Sequence, residues 1–179
     1  MIQWIAFHGK LLTRVRLFSW GIIADKSCVL CGGSEESHDH IFFVCPFSIA
    51  VWNLCLLKCS ISRPPLPLRD EISWGLANGR SKSVYGLIFK LIFAASIYFL
   101  WGERNNRIFK AKGMPWQGVF DLIVENLHAC LCDQETSAAV DDSTREALCQ
   151  RIEIQLRCDL RAMAIGSHAQ RPPQSQQFN

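Results

Sequence analysis

Four side chains between positions 28 and 45 are of the types that gather around one soft metal ion: Cys28, Cys31, His40 and Cys45, in the pattern C-x2-C-x8-H-x4-C. Two cysteines with two residues between them can turn both sulfurs toward one centre. Gly32-Gly33 lets the backbone bend away directly after the pair, and a His and a Cys five positions apart return from the start of the next element. Three thiolates and one imidazole make a closed tetrahedral zinc site, and such soft ligands disfavour Mg2+ and Ca2+. His38 competes with His40 for the fourth position. His40 is preferred, because the His-x4-Cys spacing also puts Phe42 and Phe43 between the ligands, where they can pack beneath the ion. A closed set of four ligands leaves no position for water, so the expected ion holds a fold and does not activate a nucleophile.

The remaining cysteines lack such a setting. Cys55 and Cys59 read as apolar positions on a helix face, and Cys130, Cys132, Cys149 and Cys158 read as packing residues. The N-terminal stretch from Met1 to His8 has no basic region, long apolar run or small-residue cleavage site. The expected location is therefore intracellular, nucleus or cytoplasm and not secreted, where thiols stay reduced and serve as ligands rather than disulfides.

Charge is the second feature with chemical content. The chain has 179 residues and a net charge of only +3, from 19 Lys+Arg against 16 Asp+Glu, which excludes a DNA-coating polycation. A hydrophobic content of 49% excludes a largely disordered chain and permits a real core. The distribution is uneven. Lys10, Arg14, Arg16 and Lys26 face only Asp25 in the first 27 residues, and Lys90, Arg104, Arg107, Lys110 and Lys112 make 84–113 basic. Residues 114–142 hold acids and neither Lys nor Arg. Basic patches contact phosphate, so Lys10, Arg14, Arg16 and Lys26 are the candidate nucleic-acid-binding residues. The competing reading is a solvated face with charge matching inside the chain.

The elements that must position these groups are mainly α-helical, with little or no sheet. Thr13 is a candidate cap for a helix over Arg14–Trp20, stopped by Gly21. Residues 27–45 read as a polar loop. Pro46 suits the first position of a helix through Ser48, Val51, Trp52 and Leu56. The three prolines of 60–68 predict an extended connector, followed by short helical turns over Asp70–Leu76. The longest predicted helix covers 81–109. Its apolar run, 84–101, is just long enough to span a bilayer, but Lys90 lies within it, so a core helix is preferred and a membrane span is the runner-up. Pro115 restarts a helix on which Trp116, Phe120, Ile123, Leu127 and Leu131 share one face. A capping box at Ser143–Glu146 opens a last helix. The expected organisation is a zinc-binding module at 1–59, a connector at 60–80, a helical region at 81–132, an acidic linker at 133–142, a helix at 143–166 and a disordered tail at 167–179.

These residues resemble a known family. Trp4-Ile-Ala-Phe-His-Gly-Lys-Leu-Leu-Thr-Arg-Val-Arg-Leu-Phe-Ser-Trp-Gly-Ile22, Cys28-Val-Leu-Cys31, Glu36-Ser-His-Asp-His40-Ile-Phe-Phe-Val-Cys45-Pro-Phe-Ser48 and Val51-Trp52 look like the plant reverse-transcriptase zinc-binding domain of LINE-type (non-LTR) retrotransposons. Trp101-Gly-Glu103-Arg-Asn105-Asn-Arg107-Ile-Phe109 is similar to the segment that commonly follows it. The resemblance spans roughly 4–109. It implies a structural zinc on Cys28, Cys31, His40 and Cys45, a soluble helical fold, and handling of RNA or DNA beside a polymerase. The resemblance begins inside the usual module, so the family's upstream helical residues have no counterpart. No polymerase motif accompanies it: the one Asp-Asp pair, Asp141-Asp142, has Ala139 where an aromatic residue is required. The expected protein is therefore not an enzyme but a zinc-binding, nucleic-acid-binding module. The alternatives are a structural or protein-interaction zinc domain and a retroelement remnant without function.

Overall fold

A computed structural model describes residues 2–78 and 84–132. The expected acidic linker, the last helix and the tail lie outside the described residues, as do Cys149 and Cys158. The elements in chain order are α1 (Ile2–Phe7), α2 (Arg14–Ser19), a π-helical turn (His40–Val44), α3 (Pro46–Lys58), α4 (Leu68–Asn78), α5 (Val84–Phe109) and α6 (Trp116–Cys132). Among the described residues there is no strand; a single bridge, Ser27 with Glu35, closes the loop that carries the CxxC pair.

Local chemistry accounts for most boundaries. Pro46 opens α3 as expected, since a proline at the first position gives up an N–H that would be unpaired anyway. Gly21 closes α2 at φ 71°, with the Ile22 N–H donating to the Leu17 carbonyl as a left-handed cap requires. The helix ends at Ser19 and leaves Trp20 out. Thr13 occupies the N-cap but makes no capping hydrogen bond with its side chain. A distant carboxylate does that work: Glu36 Oε1 accepts from the Arg14 N–H at 2.9 Å.

Two helices depart from the sequence expectation. α1 was not foreseen; its six residues show no clear stripe, and Ala6 is the one it buries, against α5. α4 begins two residues before Asp70, inside the expected connector, because Leu68 is buried and the Glu71 N–H reaches the Pro67 carbonyl at 2.9 Å.

α5 is the central element and packs on α1, α3, α4 and the π-helical turn. Ile88, Phe89, Ile92, Phe93, Ile97, Leu100 and Trp101 are buried along it. It is also the one described helix long and apolar enough to cross a membrane. Trp52 is fully buried, its ring 4.8 Å from Phe43, 5.7 Å from Phe93 and 6.1 Å from Phe89. Its indole N–H donates to Glu71 Oε1 at 2.8 Å. Glu71 is itself buried and held by Arg63 through a two-pronged pair at 2.8 and 2.6 Å. An indole that must be buried thus has its polar atom satisfied by an acid whose charge is matched.

Cys55 and Cys59 behave as the packing residues expected of them. Both are buried, and burial pushes each thiol up to about 12. The thiolate is the reactive form. Iodoacetamide at pH 8 is therefore expected to leave both unmodified in the native protein and to label both once a denaturant and a chelator are added, as peptide mass spectrometry would read directly. Labelling of either in the native state would contradict this packing.

Candidate metal centre

The π-helical turn solves a geometric problem posed by the His-x4-Cys spacing. An α-helix turns about 100° per residue, so positions five apart would point about 140° away from each other. Here the Cys45 N–H reaches the His40 carbonyl, at 2.6 Å, an i to i+5 closure that brings the two positions back to one side. The same turn drives Phe42 and Phe43 into the core. Phe43 packs on Trp52 and stacks on Phe93 at 5.5 Å, and Phe42 lies 6.5 Å from Trp101. On the other side of the site, the tight turn after Cys28 is closed by the Gly32 N–H on the Cys28 carbonyl at 2.7 Å, with Gly32 at φ 71°.

The result is a cluster of four ligand atoms, from Cys28, Cys31, His40 and Cys45, all within 4.8 Å of one another. Cys28 Sγ is 3.9 Å from Cys45 Sγ, and Cys31 Sγ is 3.4 Å from His40 Nε2. A tetrahedron with ordinary Zn–S and Zn–N bonds has edges of about 3.8 Å between sulfurs and about 3.5 Å between sulfur and nitrogen. The donor set and its spacing therefore fit zinc. Cys28, Cys45 and His40 are buried and Cys31 is half-buried, which suits a closed structural ion.

The protonation chemistry points the same way. The hydrogen bond from the Cys45 thiol pulls Cys28 down to about 5, and the same bond, with burial, pushes Cys45 up. Two thiols this close hold one negative charge between them unless a cation compensates the second. Backbone N–H groups already favour thiolates: those of Cys31 and Leu30 act on Cys28, and those of Ser48 and Phe47, in the first turn of α3, act on Cys45. His38 stands outside the cluster. Desolvation and the Arg16 charge lower its pKa, so it favours the neutral form.

The four candidate nucleic-acid residues divide into two pairs. Arg14 donates to Asp25 Oδ2 at 2.9 Å, and Lys26 pairs with Glu35, so charge matching within the chain takes both. Lys10 and Arg16 have no acidic partner among the described residues. Each instead lies over an exposed indole: the Lys10 ammonium 5.3 Å from the centre of the Trp4 ring, and the Arg16 guanidinium 4.9 Å from that of Trp20. Arg16 also donates to the Gly9 carbonyl at 2.9 Å, which ties it to the loop bearing Lys10. Trp20 is 53% exposed, while Trp52 and Trp101 are buried. Trp20 follows the end of α2, where the Arg16 guanidinium covers one face of its ring.

Sequence reasoning missed a second set of residues. Arg104 and Arg107 read as part of a basic patch, but neither charge is available. Arg104 is buried and its Nε and Nη2 donate to Glu36 Oε1 at 3.1 and 2.8 Å. Arg107 donates from Nε to Glu103 Oε1 at 2.7 Å and from Nη1 to the carbonyls of Val29 and Leu30 at 3.2 and 3.0 Å. The signal lay in the Glu103-Arg104 and Arg107 spacing, which the family resemblance contained without a physical role.

Residues 1–52 match a family model described as zinc-binding in reverse transcriptase. No curated protein and no solved structure matches the chain.

Proposed function

We propose that this chain is a zinc-held nucleic-acid-binding module descended from the reverse transcriptase of a LINE-type retrotransposon of plants. It binds RNA or DNA weakly and without sequence preference, carries no polymerase or other enzymatic activity, and works inside the cell, in nucleus or cytoplasm. The observation that carries the reading is the pairing of Lys10 with Trp4 and of Arg16 with Trp20, two cations without an acidic partner among the described residues, each over an exposed ring. Cations attract phosphate, and rings of this kind stack on unpaired bases. The match to a reverse-transcriptase zinc-binding family supports the same class of partner. α5 is read as a core helix rather than a membrane span, because its apolar residues are largely covered by α1, α3, α4 and the π-helical turn.

The test is a fluorescence-anisotropy titration with a labelled single-stranded oligonucleotide. With two effective phosphate contacts the affinity should fall with a log–log salt slope of about −1.4. Charge reversal, Lys10→Glu with Arg16→Glu, should abolish binding and leave the fold intact. Absence of binding at low salt removes the proposal. A second reading, a protein-interaction domain, is favoured by the exposure of Trp4, Phe7, Leu12, Phe18, Trp20 and Ile22 within a short stretch. It predicts no salt-dependent nucleic-acid binding and retention of partner binding after the charge reversal.

A further inference from the structure

The metal centre is buttressed from α5 by a residue that is not one of the four ligands. Arg107 Nη1 donates to the carbonyls of Val29 and Leu30, the two residues between Cys28 and Cys31. Those carbonyls belong to two consecutive peptide units, Val29–Leu30 and Leu30–Cys31. The N–H groups at the other ends of the same two units, those of Leu30 and Cys31, are the ones that act on Cys28 Sγ. A guanidinium on the oxygen end of a peptide draws electron density toward itself and makes the N–H end a stronger donor. Two parallel peptides therefore lie between the Arg107 charge and the Cys28 sulfur.

Arg107 is fixed for this task on all sides. Nε is bonded to Glu103 Oε1, one turn earlier on α5, and Nη2 to the Met114 carbonyl at 3.0 Å. Glu103 Oε1 also accepts from the Met114 N–H at 2.9 Å. The guanidinium lies 4.7 Å from the centre of the Phe47 ring, and Phe47 supplies one of the N–H groups acting on Cys45. One side chain thus braces both the CxxC turn and the corner that carries the fourth ligand. It lies far beyond residues 1–52, where the family match ends.

We infer that Arg107 is a positioning residue of the metal centre, setting the zinc affinity and the sulfur electron density of Cys28 through the Val29–Leu30 and Leu30–Cys31 peptides. Outer-shell partners of metal ligands act in this way, and their loss commonly weakens binding by about 10- to 100-fold.

The experiment compares Arg107→Met and Arg107→Lys with Arg63→Met in the full chain. Arg63→Met breaks the ion pair with Glu71 and is a control for general destabilisation. Zinc affinity is read by competition with a chromogenic chelator, and the sulfur by the sulfur-to-metal charge-transfer band of the cobalt-loaded protein. Arg107→Met should weaken zinc binding by about tenfold or more. It should also move the band to lower energy, because a sulfur with weaker N–H donors gives up electrons more easily. Arg107→Lys, which keeps the charge but not the fork, should fall between Met and the native residue. It carries the test if the Met variant does not fold. Arg63→Met should lower thermal stability and leave the band in place. An unmoved band and unchanged affinity in the Arg107 variants, or an equal shift in Arg63→Met, would overturn the inference.

Discussion

Removing the metal is expected to unfold the packed helices, and not only the loop that binds it. Structural zinc in small sites contributes about 10–16 kcal/mol of apparent binding free energy at neutral pH, comparable to or larger than the whole stability of a typical domain. The site is also wired into the core. His40 and Cys45 bracket Phe42 and Phe43, and Phe43 packs on Trp52 and Phe93. If the π-helical turn relaxes, both rings lose their fixed positions and Trp52 loses a neighbour on one face. EDTA, or Cys28→Ser, should therefore abolish the cooperative thermal transition in far-UV circular dichroism and red-shift the emission of Trp52 and Trp101. His40→Ala should do the same, while His38→Ala should retain one zinc per chain, because His38 lies outside the ligand cluster. Loss of metal in the His38 variant with retention in the His40 variant would overturn the ligand assignment.

Acid should act in the same direction. In the metal-free pocket Cys28 is lowered from an ordinary thiol value of 9.0 to about 5, first by a hydrogen bond from the Cys45 thiol that a bound metal would replace. A depressed pKa contributes stability that is full above the unfolded value and is lost as pH falls through the folded one. Protons also compete with the metal for every ligand. Through that competition the melting temperature of the zinc-loaded protein should fall steadily from pH 8 toward pH 5.

The clustering of Cys28, Cys31, His40 and Cys45 was legible in the sequence because ligand chemistry is confined to few residue types and the spacing is short. The start of α3 was legible because Pro46 carries its own reason, and α5 because a long apolar run has few alternatives. The π-helical turn was not legible. An i to i+5 closure has no local signature here; what selects it is the placement of Phe42 and Phe43 against α3 and α5, a tertiary effect. The exposure of Trp20 was not legible either: residue type sets a preference for burial, but α2 stops at Ser19 and the indole is left at the surface. Charge was the least legible property. Arg14, Lys26, Arg104 and Arg107 look alike as letters, yet the first two are matched at the surface and the last two are committed to Glu36, Glu103 and backbone carbonyls.

Among those pairs, breaking Glu36–Arg104 is expected to have the largest effect of any substitution outside the metal ligands. Glu36 is fully buried and Arg104 nearly so, with Nη2 to Oε1 at 2.8 Å. The same carboxylate oxygen accepts from the Arg14 N–H, and Arg104 Nη2 also donates to the Leu12 carbonyl at 3.0 Å. One ion pair therefore joins the loop between the Cys pair and His40, the start of α2 and the C-terminal part of α5. Its net worth relative to a well-packed apolar pair is small, because both charges had to leave water. Removing one partner is a different matter, since it strands the other as a buried charge at a cost of about 3–5 kcal/mol. Arg104→Met and Glu36→Gln should each lower the unfolding free energy of the zinc-loaded protein by about that amount, read from the midpoint of guanidinium denaturation. The double variant, Glu36→Leu with Arg104→Met, should recover much of the loss, because neither charge is then left alone. By contrast, Glu35→Gln, which breaks the surface pair with Lys26, should cost less than about 1 kcal/mol. Additive losses in the double variant would show that Glu36 and Arg104 stabilise the protein through separate contacts rather than through each other.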